Sequence, residues 1–158
     1  MSEKLQVLIL CTANSARSQM GEGLLRHIAG DKLDVFSAGR APSGVNPLAI
    51  EAMRARGIDI ASHHSHHIDQ YLEREFDFVI TLCDSAAESC PVFPGRAERI
   101  HWSLPDPAAV TGDEPAVLQS FIDVREGLEK KLSAWLRSHN LLERNEKASA
   151  KLEDKCPR

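Results

Sequence analysis

The sequence has 158 residues and a formal net charge of -4 at pH 7. That length fits one compact domain, and a composition of 42% hydrophobic and 27% charged residues excludes a disordered chain. The slight acidity argues against nucleic acid or an anionic membrane as partner, no apolar run approaches the ~20 residues that span a bilayer, and we expect a cytoplasmic protein.

Strand and helix patterns alternate along the chain. In order, the patterns predict a strand at 7–10, a helix ending at Gly30, a strand at 33–36, a helix from Asn46-Pro47 to Gly57 and a short helix at 68–74. They continue with a strand at 76–82, a proline-rich loop at 83–95, a weak strand at 100–102 and an amphipathic helix at 113–138. This alternation predicts an α/β fold with a parallel sheet and right-handed crossovers. We expect one domain at 1–140 and a loose charged tail at 141–158.

Three chemically suggestive residues follow predicted strands. Cys11 ends the first strand, Cys83 ends the third, and Asp106 comes shortly after the fourth. The carboxyl ends of parallel strands share one edge of a sheet, which is where ligands of open α/β sheets bind. We therefore expect these three residues to lie close together.

The turn after the first strand has an anion-binding pattern, in which five residues separate Cys11 from Arg17 and Ser18 follows. Small residues let successive backbone N–H groups point inward, the helix N-terminus adds positive charge, and an arginine fork matches two oxygens of a tetrahedral anion. The same field favours the nucleophilic thiolate of Cys11, and Ser18 either caps the helix or bonds to the Cys11 sulfur. The predicted oxyanion site comprises Thr12, Ala13, Asn14, Ser15, Ala16, Arg17 and Ser18. The alternative is a buried structural cysteine beside a surface arginine.

At these residues the sequence resembles the low-molecular-weight protein tyrosine phosphatase family, and in particular its arsenate reductase branch. The resemblance spans about residues 5–138 and rests on Cys11-x5-Arg17-Ser18, Asp106-Pro107 and the segments 14–22 and 81–91. It implies a three-layer α/β sandwich with a four-stranded parallel sheet in flavodoxin-like order. It also implies that Asp106 acts as the general acid, whereas the simpler interpretation is an aspartate in a turn.

The additional cysteines separate two activities. A phosphatase needs one thiolate, whereas reduction of As(V) to As(III) takes two electrons, which two thiols supply by forming a disulfide. We predict that Cys11 attacks arsenate, Cys83 attacks Cys11, and Cys90 moves the disulfide to Cys83–Cys90. The resemblance implies the same cascade, with thioredoxin, or alternatively glutaredoxin, reducing the final disulfide by exchange. The competing interpretation of Cys83 and Cys90 is a pair of ordinary buried thiols or a zinc pair.

The spacing of the last two cysteines predicts a conformational change. Residues 83–90 can form a short helix, on which positions seven apart lie about 10 Å apart along the axis. A disulfide needs Cα atoms within about 7 Å. The segment must therefore rearrange when it is oxidised.

The composition around Asp106-Pro107 favours a small substrate. Ala-Ala-Val follows this pair, and Tyr71 is the only tyrosine, so the cleft lacks the aromatic walls that would sandwich a phenol ring. Inorganic arsenate, with phosphate or sulfate as mimics, fits better than a phosphotyrosyl peptide. The runner-up functions are a phosphatase with incidental cysteines and a non-catalytic thiol sensor.

A histidine cluster at 62–67 suggests a metal, but no cysteine or carboxylate brackets it at metal-ligand spacing. The resemblance implies instead that His63 supports the anion loop, residues 11–18, through a hydrogen bond to Asn14. It also implies a potassium site for which Asn14, Glu22 and Ser37 match, but His64 and His66 are poor ligands for a hard cation. We expect no metal and no cofactor, a monomer, and a dispensable free thiol at Cys156.

Overall fold

A four-stranded parallel sheet organises the chain. The computed structural model describes residues 4–88 and 90–142, so Cys156 and most of the predicted tail lie outside the described residues. The strands are β1 (Leu5–Leu10), β2 (Leu33–Ala38), β3 (Phe78–Thr81) and β4 (Glu98–His101). Their order is β2-β1-β3-β4, and all three pairings are parallel. This confirms the predicted α/β sheet and its flavodoxin-like order.

Helices alternate with these strands along the chain. They are α1 (Arg17–Ala29), α2 (Pro47–Arg54), α3 (Asp84–Glu88) and α4 (Glu114–Ser138), with 3-10 turns at Ile68–Tyr71 and Pro107–Ala109. The start of α2 follows from its first residues, because the Asn46 side chain accepts a hydrogen bond from the Leu48 backbone and Pro47 occupies the first helical position. Asp113 caps α4 in the same way, by accepting from the Ala116 backbone.

The short elements differ most from the predicted ones. Strand β4 begins two residues earlier than predicted, and its side chains are mostly exposed because it is the edge of the sheet. The predicted proline-rich loop at 83–95 contains helix α3, and the predicted helix at 68–74 is a 3-10 turn confined to Ile68–Tyr71. These segments bury few side chains, so their apolar periodicity is weak.

Two apolar clusters cover the two faces of the sheet and give the three layers. On one face, Val7, Ile9 and Ile80 pack against α1, α2 and α4. The opposite face has a smaller cluster that includes Leu8, Leu10, Val79, Phe76, Phe93 and Ala86 of α3. Each fully buried large apolar side chain contributes about 1.5–3 kcal/mol, so the first cluster provides most of the stability. No helix in the described part of the chain is long and apolar enough to cross a bilayer.

Candidate active site

The loop between β1 and α1 turns its carbonyl groups away from the site. The carbonyl oxygens of Thr12, Ala13 and Ser15 accept hydrogen bonds from the backbone of residues 41–46 at 2.9–3.1 Å. The Asn14 carbonyl accepts from Ser65 Oγ at 2.6 Å and from Gln19 Nε2 at 3.2 Å. Within the described residues, no backbone N–H group of residues 12–17 donates to a protein acceptor. The loop therefore has the N–H arrangement of an anion-binding nest.

Asn14 holds this loop in shape. It has φ = 47°, a left-handed conformation that asparagine tolerates better than most residues, and it is completely buried. Its Oδ1 accepts from the His66 backbone N–H at 2.7 Å, and its Nδ2 donates to Ser18 Oγ at 2.7 Å and Ser37 Oγ at 2.9 Å. The side chain thus satisfies its polar atoms by joining three separate segments around the loop.

The first sulfur lies at the base of the loop. Cys11 is 3% exposed, and its Sγ lies 3.0 Å from Ser18 Oγ. Helix α1 has no side-chain cap, since its N-cap position is Ala16. Ser18 was expected either to cap the helix or to bond to the Cys11 sulfur, and the structure shows the contact with the sulfur. A hydroxyl here can donate a hydrogen bond to the thiolate and stabilise it.

The second sulfur reaches the same loop from the neighbouring strand. Leu10 pairs with Thr81, and the Leu82 backbone donates to the Leu10 carbonyl at 2.9 Å, so the chain segments that leave β1 and β3 run side by side. Cys83 is buried, and its Sγ lies 3.4 Å from Thr12 Oγ1. Both sulfurs belong to the smaller apolar cluster. The predicted convergence of Cys11 and Cys83 at one sheet edge follows from this register.

The third sulfur lies beyond α3. Cys90 is partly buried, and its thiol donates to the Pro91 carbonyl at 3.6 Å. Burial raises the pKa of Cys90, and the positive charge of Arg99 opposes that shift. The reduced form thus holds Cys90 as a neutral thiol on the other side of a helical turn from Cys83.

Arg17 links the loop to the predicted general acid. Its Nη1 donates to the Leu104 carbonyl at 3.0 Å, and its Nη2 lies 4.0 Å from Asp106 Oδ2. Asp106 is about half exposed and accepts a hydrogen bond from the Ala108 backbone at 3.0 Å, which fixes its side chain. The guanidinium and the carboxyl group therefore face the same side of the loop.

Comparison with known proteins identifies the same family that the sequence resembles. The family model for low molecular weight phosphotyrosine protein phosphatase matches residues 6–148. The chain belongs to this family. An arsenate reductase of Halalkalibacterium halodurans is 43% identical over 135 residues, which cover 85% of this chain and 96% of that protein.

Solved structures of family members agree with this assignment. A structure described as an arsenate reductase in the oxidized state has a TM-score of 0.71 at 28% identity and covers 84% of this chain and 97% of its own. A thioredoxin-dependent arsenate reductase of Corynebacterium glutamicum has a TM-score of 0.66 at 30% identity and covers 87% of this chain and 64% of its own. Within the family, the chain thus groups with the arsenate reductases.

The contact expected for His63 in this family is different here. His63 Nδ1 lies 3.1 Å from Gln19 Oε1, and it is Gln19 Nε2 that donates to the Asn14 carbonyl. The predicted direct bond to Asn14 is therefore wrong, because the buried Gln19 side chain lies between them. His63 reaches the loop through Gln19. Gln19 is buried in the first turn of α1, and only the packing of that turn shows that it links His63 to the loop.

The residues that match a potassium site do not fit one. Glu22 accepts from Ser37 Oγ at 2.5 Å and from the Arg26 guanidinium at 2.9 Å. Asn14 Oδ1 already accepts the His66 backbone N–H. The carboxylate thus has a cationic partner from the protein itself, and the amide oxygen already accepts one hydrogen bond.

Gly39 allows the loop to approach β2, and sequence reasoning missed it. A Cβ added there would lie 2.4 Å from the Thr12 carbonyl oxygen and 2.5 Å from the Cys11 carbonyl oxygen. Both are backbone atoms of the anion loop, so they cannot move without distorting it. Gly39 directly follows β2, which ends at Ala38, two residues beyond the predicted strand at 33–36, and a glycine at a strand end is the signal that points to such a contact.

We expect Gly39→Ala to lower the free energy of unfolding by about 1–3 kcal/mol and to weaken phosphate binding at the loop. Urea unfolding and phosphate titration measure the two effects. The matched control is Gly127→Ala, because Gly127 lies inside α4 with open space around it. Alanine there is expected to stabilise the protein by about 0.5–1 kcal/mol. A Gly39→Ala variant as stable as the wild type would contradict the close approach.

Burial of His63 makes stability depend on pH. Burial lowers its pKa, and the Glu22 carboxylate only partly compensates. The folded state therefore takes up a proton less readily than the unfolded state, so this stabilisation is present above about pH 6.5 and is lost as the pH falls through the lower folded-state pKa. We expect His63→Gln to flatten the fall in unfolding free energy between pH 7 and pH 5.5, measured with urea. His27→Gln on the exposed surface of α1 is the control and should leave the slope unchanged.

Proposed function

We propose that this protein reduces arsenate to arsenite and that its own cysteines supply the two electrons. The observation that carries the proposal is the second buried thiol at the anion loop, with Cys83 Sγ 3.4 Å from Thr12 Oγ1. Hydrolysis of a phosphate ester has no use for that thiol, because water completes the reaction after one cysteine has been phosphorylated. Reduction requires it, because one sulfur alone cannot form the intramolecular disulfide.

In the first step, the loop N–H groups and Arg17 hold arsenate while the Cys11 thiolate attacks arsenic. A Cys11 S–As bond forms, one oxygen leaves as water, and Asp106 is positioned to supply a proton to it. The support for this assignment is that Asp106 lies on the same side of the loop as the guanidinium. Arsenic is still As(V) at this stage.

In the second step, Cys83 attacks Cys11 Sγ. An S–S bond forms, the S–As bond breaks, and its electron pair stays on arsenic, which leaves as arsenite. The sum is one arsenate and two thiols giving one arsenite, one disulfide and one water. The Thr12 hydroxyl beside Cys83 Sγ can donate to the thiolate before it attacks.

In the third step, Cys90 attacks Cys83, so the disulfide moves to Cys83–Cys90 and Cys11 is released as a thiol. Helix α3 separates these two cysteines, so it must unwind for their Cα atoms to come within about 7 Å. The new Cys83–Cys90 disulfide is then reduced by an external dithiol through thiol–disulfide exchange. Thioredoxin is the proposed donor, supported by the dependence named for the Corynebacterium glutamicum relative, and glutaredoxin is the alternative.

The test is arsenate-dependent oxidation of NADPH in the presence of thioredoxin and thioredoxin reductase. A second arm replaces these by glutathione, glutaredoxin and glutathione reductase. We expect turnover in the first arm and little in the second. No arsenate-dependent oxidation in either arm would overturn the proposed function.

A phosphatase is the second candidate, because the Arg17–Asp106 arrangement also suits transfer of a phosphoryl group. Hydrolysis of p-nitrophenyl phosphate separates the two functions. Rapid hydrolysis without arsenate-dependent NADPH oxidation would establish the phosphatase.

A further inference from the structure

Cys90 has charged surroundings of its own next to strand β4. A cavity of about 170 Å³ opens beside β4 and is lined by Thr81, Ala87, Cys90, Arg99, Ile100 and His101. Besides Cys90, its titratable lining residues are Arg99 and His101, both on β4. This cavity lies outside the anion loop, and the reaction steps above do not use its two basic residues.

Arg99 and Cys90 share one acceptor. Arg99 Nη2 donates to the Pro91 carbonyl at 2.6 Å, and the Cys90 thiol donates to the same oxygen at 3.6 Å. When Cys90 loses its proton, it can no longer donate to this carbonyl. A guanidinium held at the same oxygen then provides a positive charge and further N–H donors next to the new thiolate.

Both ring nitrogens of His101 have partners other than Cys90. Its Nδ1 lies 2.8 Å from Thr81 Oγ1, and its Nε2 lies 2.9 Å from Asp84 Oδ1. This bond to His101 also lowers the pKa of Asp84. His101 thus ties the first residue of α3 to the sheet, and Arg99 is the cation bonded to the carbonyl that the Cys90 thiol also contacts.

We propose that Arg99 is a positioning residue for the third step, in which it holds the backbone after Cys90 and stabilises the Cys90 thiolate that attacks Cys83. The inference rests on the proposed function, since it concerns transfer of the disulfide from Cys11–Cys83 to Cys83–Cys90. In that step Cys90 Sγ forms a bond to Cys83 Sγ, and Cys11 Sγ leaves with the electron pair and takes up a proton. The step involves no net oxidation, so it needs no further co-reactant.

The expected effect of replacing Arg99 on the rate of disulfide transfer depends on how exposed its side chain is. Arg99 is exposed, so solvent screens its charge. We expect Arg99→Gln to slow the transfer by about two- to fivefold near neutral pH and to move its pH profile to higher pH. The direction follows from charge, because removing the cation leaves burial of Cys90 unopposed.

The experiment follows one turnover of the full-length protein. Reduced protein is mixed with arsenate, quenched with acid at set times between pH 6 and pH 9, and its disulfides are mapped by mass spectrometry. Arg99→Lys keeps the charge and is expected to restore most of the rate. Arg96→Gln is the matched control, because Arg96 is an exposed arginine that lines a separate cleft with Lys4 and Asp77, and its transfer should be unchanged.

The outcomes separate a role of the Arg99 charge in the transfer from a purely structural role. Transfer in Arg99→Gln at the wild-type rate overturns the role of Arg99, and so does slowing by the same factor at every pH, which would indicate only a structural role. Slowing by Arg99→Lys as large as that by Arg99→Gln also overturns it. If the wild type forms no disulfide with arsenate, the proposed function itself fails, which is a distinct result.

Discussion

Replacing Cys11 by serine is expected to abolish both arsenate reduction and any hydrolysis of phosphate esters. A serine hydroxyl is scarcely ionised near neutral pH, so the loop has no competent nucleophile for arsenic or phosphorus. We expect a loss of at least about 1,000-fold in turnover. The measurements are arsenate-dependent NADPH oxidation and p-nitrophenyl phosphate hydrolysis.

The fold should survive this change. Serine is slightly smaller than cysteine, and Ser18 Oγ lies within hydrogen-bond distance of the position it would occupy. Phosphate should therefore still bind to the loop, which a titration monitored by thermal unfolding measures. Cys156→Ser is the control for cysteine replacement and should leave every activity unchanged. Retention of more than about one part in a hundred of the activity by Cys11→Ser would contradict its role as nucleophile.

Replacing Cys90 by serine is expected to stop the cycle after one turnover. The first two steps need only Cys11 and Cys83, so one equivalent of arsenite should still be released. The Cys11–Cys83 disulfide should then accumulate, because the thiol that resolves it is missing, and multiple turnover with thioredoxin should fall at least about tenfold. Peptide mass mapping after acid quenching detects this disulfide.

Two further readouts sharpen this prediction. Weak p-nitrophenyl phosphate hydrolysis should persist in the reduced variant, since that reaction needs only the Cys11 thiolate, the loop and a general acid. Cys90→Ala should behave like Cys90→Ser, which excludes an effect of the new hydroxyl. Normal turnover of arsenate by either variant would show that two thiols suffice and that the three-cysteine relay is wrong.

Some features of the site were predictable because they depend on short segments. The run before Cys11 is apolar enough to be a buried strand, and Arg17 lies at the first turn of the helix that follows. A strand, a turn of small residues and a helix together orient backbone N–H groups toward an anion. The start of α2 at Asn46-Pro47 was predictable for the same reason, since capping is a local interaction.

Other features depend on contacts between distant segments. The bond of His63 to Gln19 joins residues 44 positions apart, and the approach of Gly39 to the anion loop depends on how β2 pairs with β1. Strand β4 was placed two residues late because an edge strand exposes most of its side chains and so has little alternation. Helix α3 lies within residues 83–90, where the sequence predicted that a short helix can form, but its bounds at Asp84–Glu88 come from the structure.

The sequence by itself therefore determined the α/β class and the strand–turn–helix unit that contains Cys11 and Arg17, because buried strands, helix starts and small-residue turns are set by neighbouring residues. The roles of nucleophile and anion loop remain predictions from that local pattern. Only the tertiary structure decided which side chains contact one another around that loop. The parallel register brings Cys83 to Thr12, and packing leads His63 to Gln19 and Arg99 to the backbone after Cys90. Such contacts are set by the alignment of strands and the packing of side chains, and neither leaves a periodic signal in the order of residues.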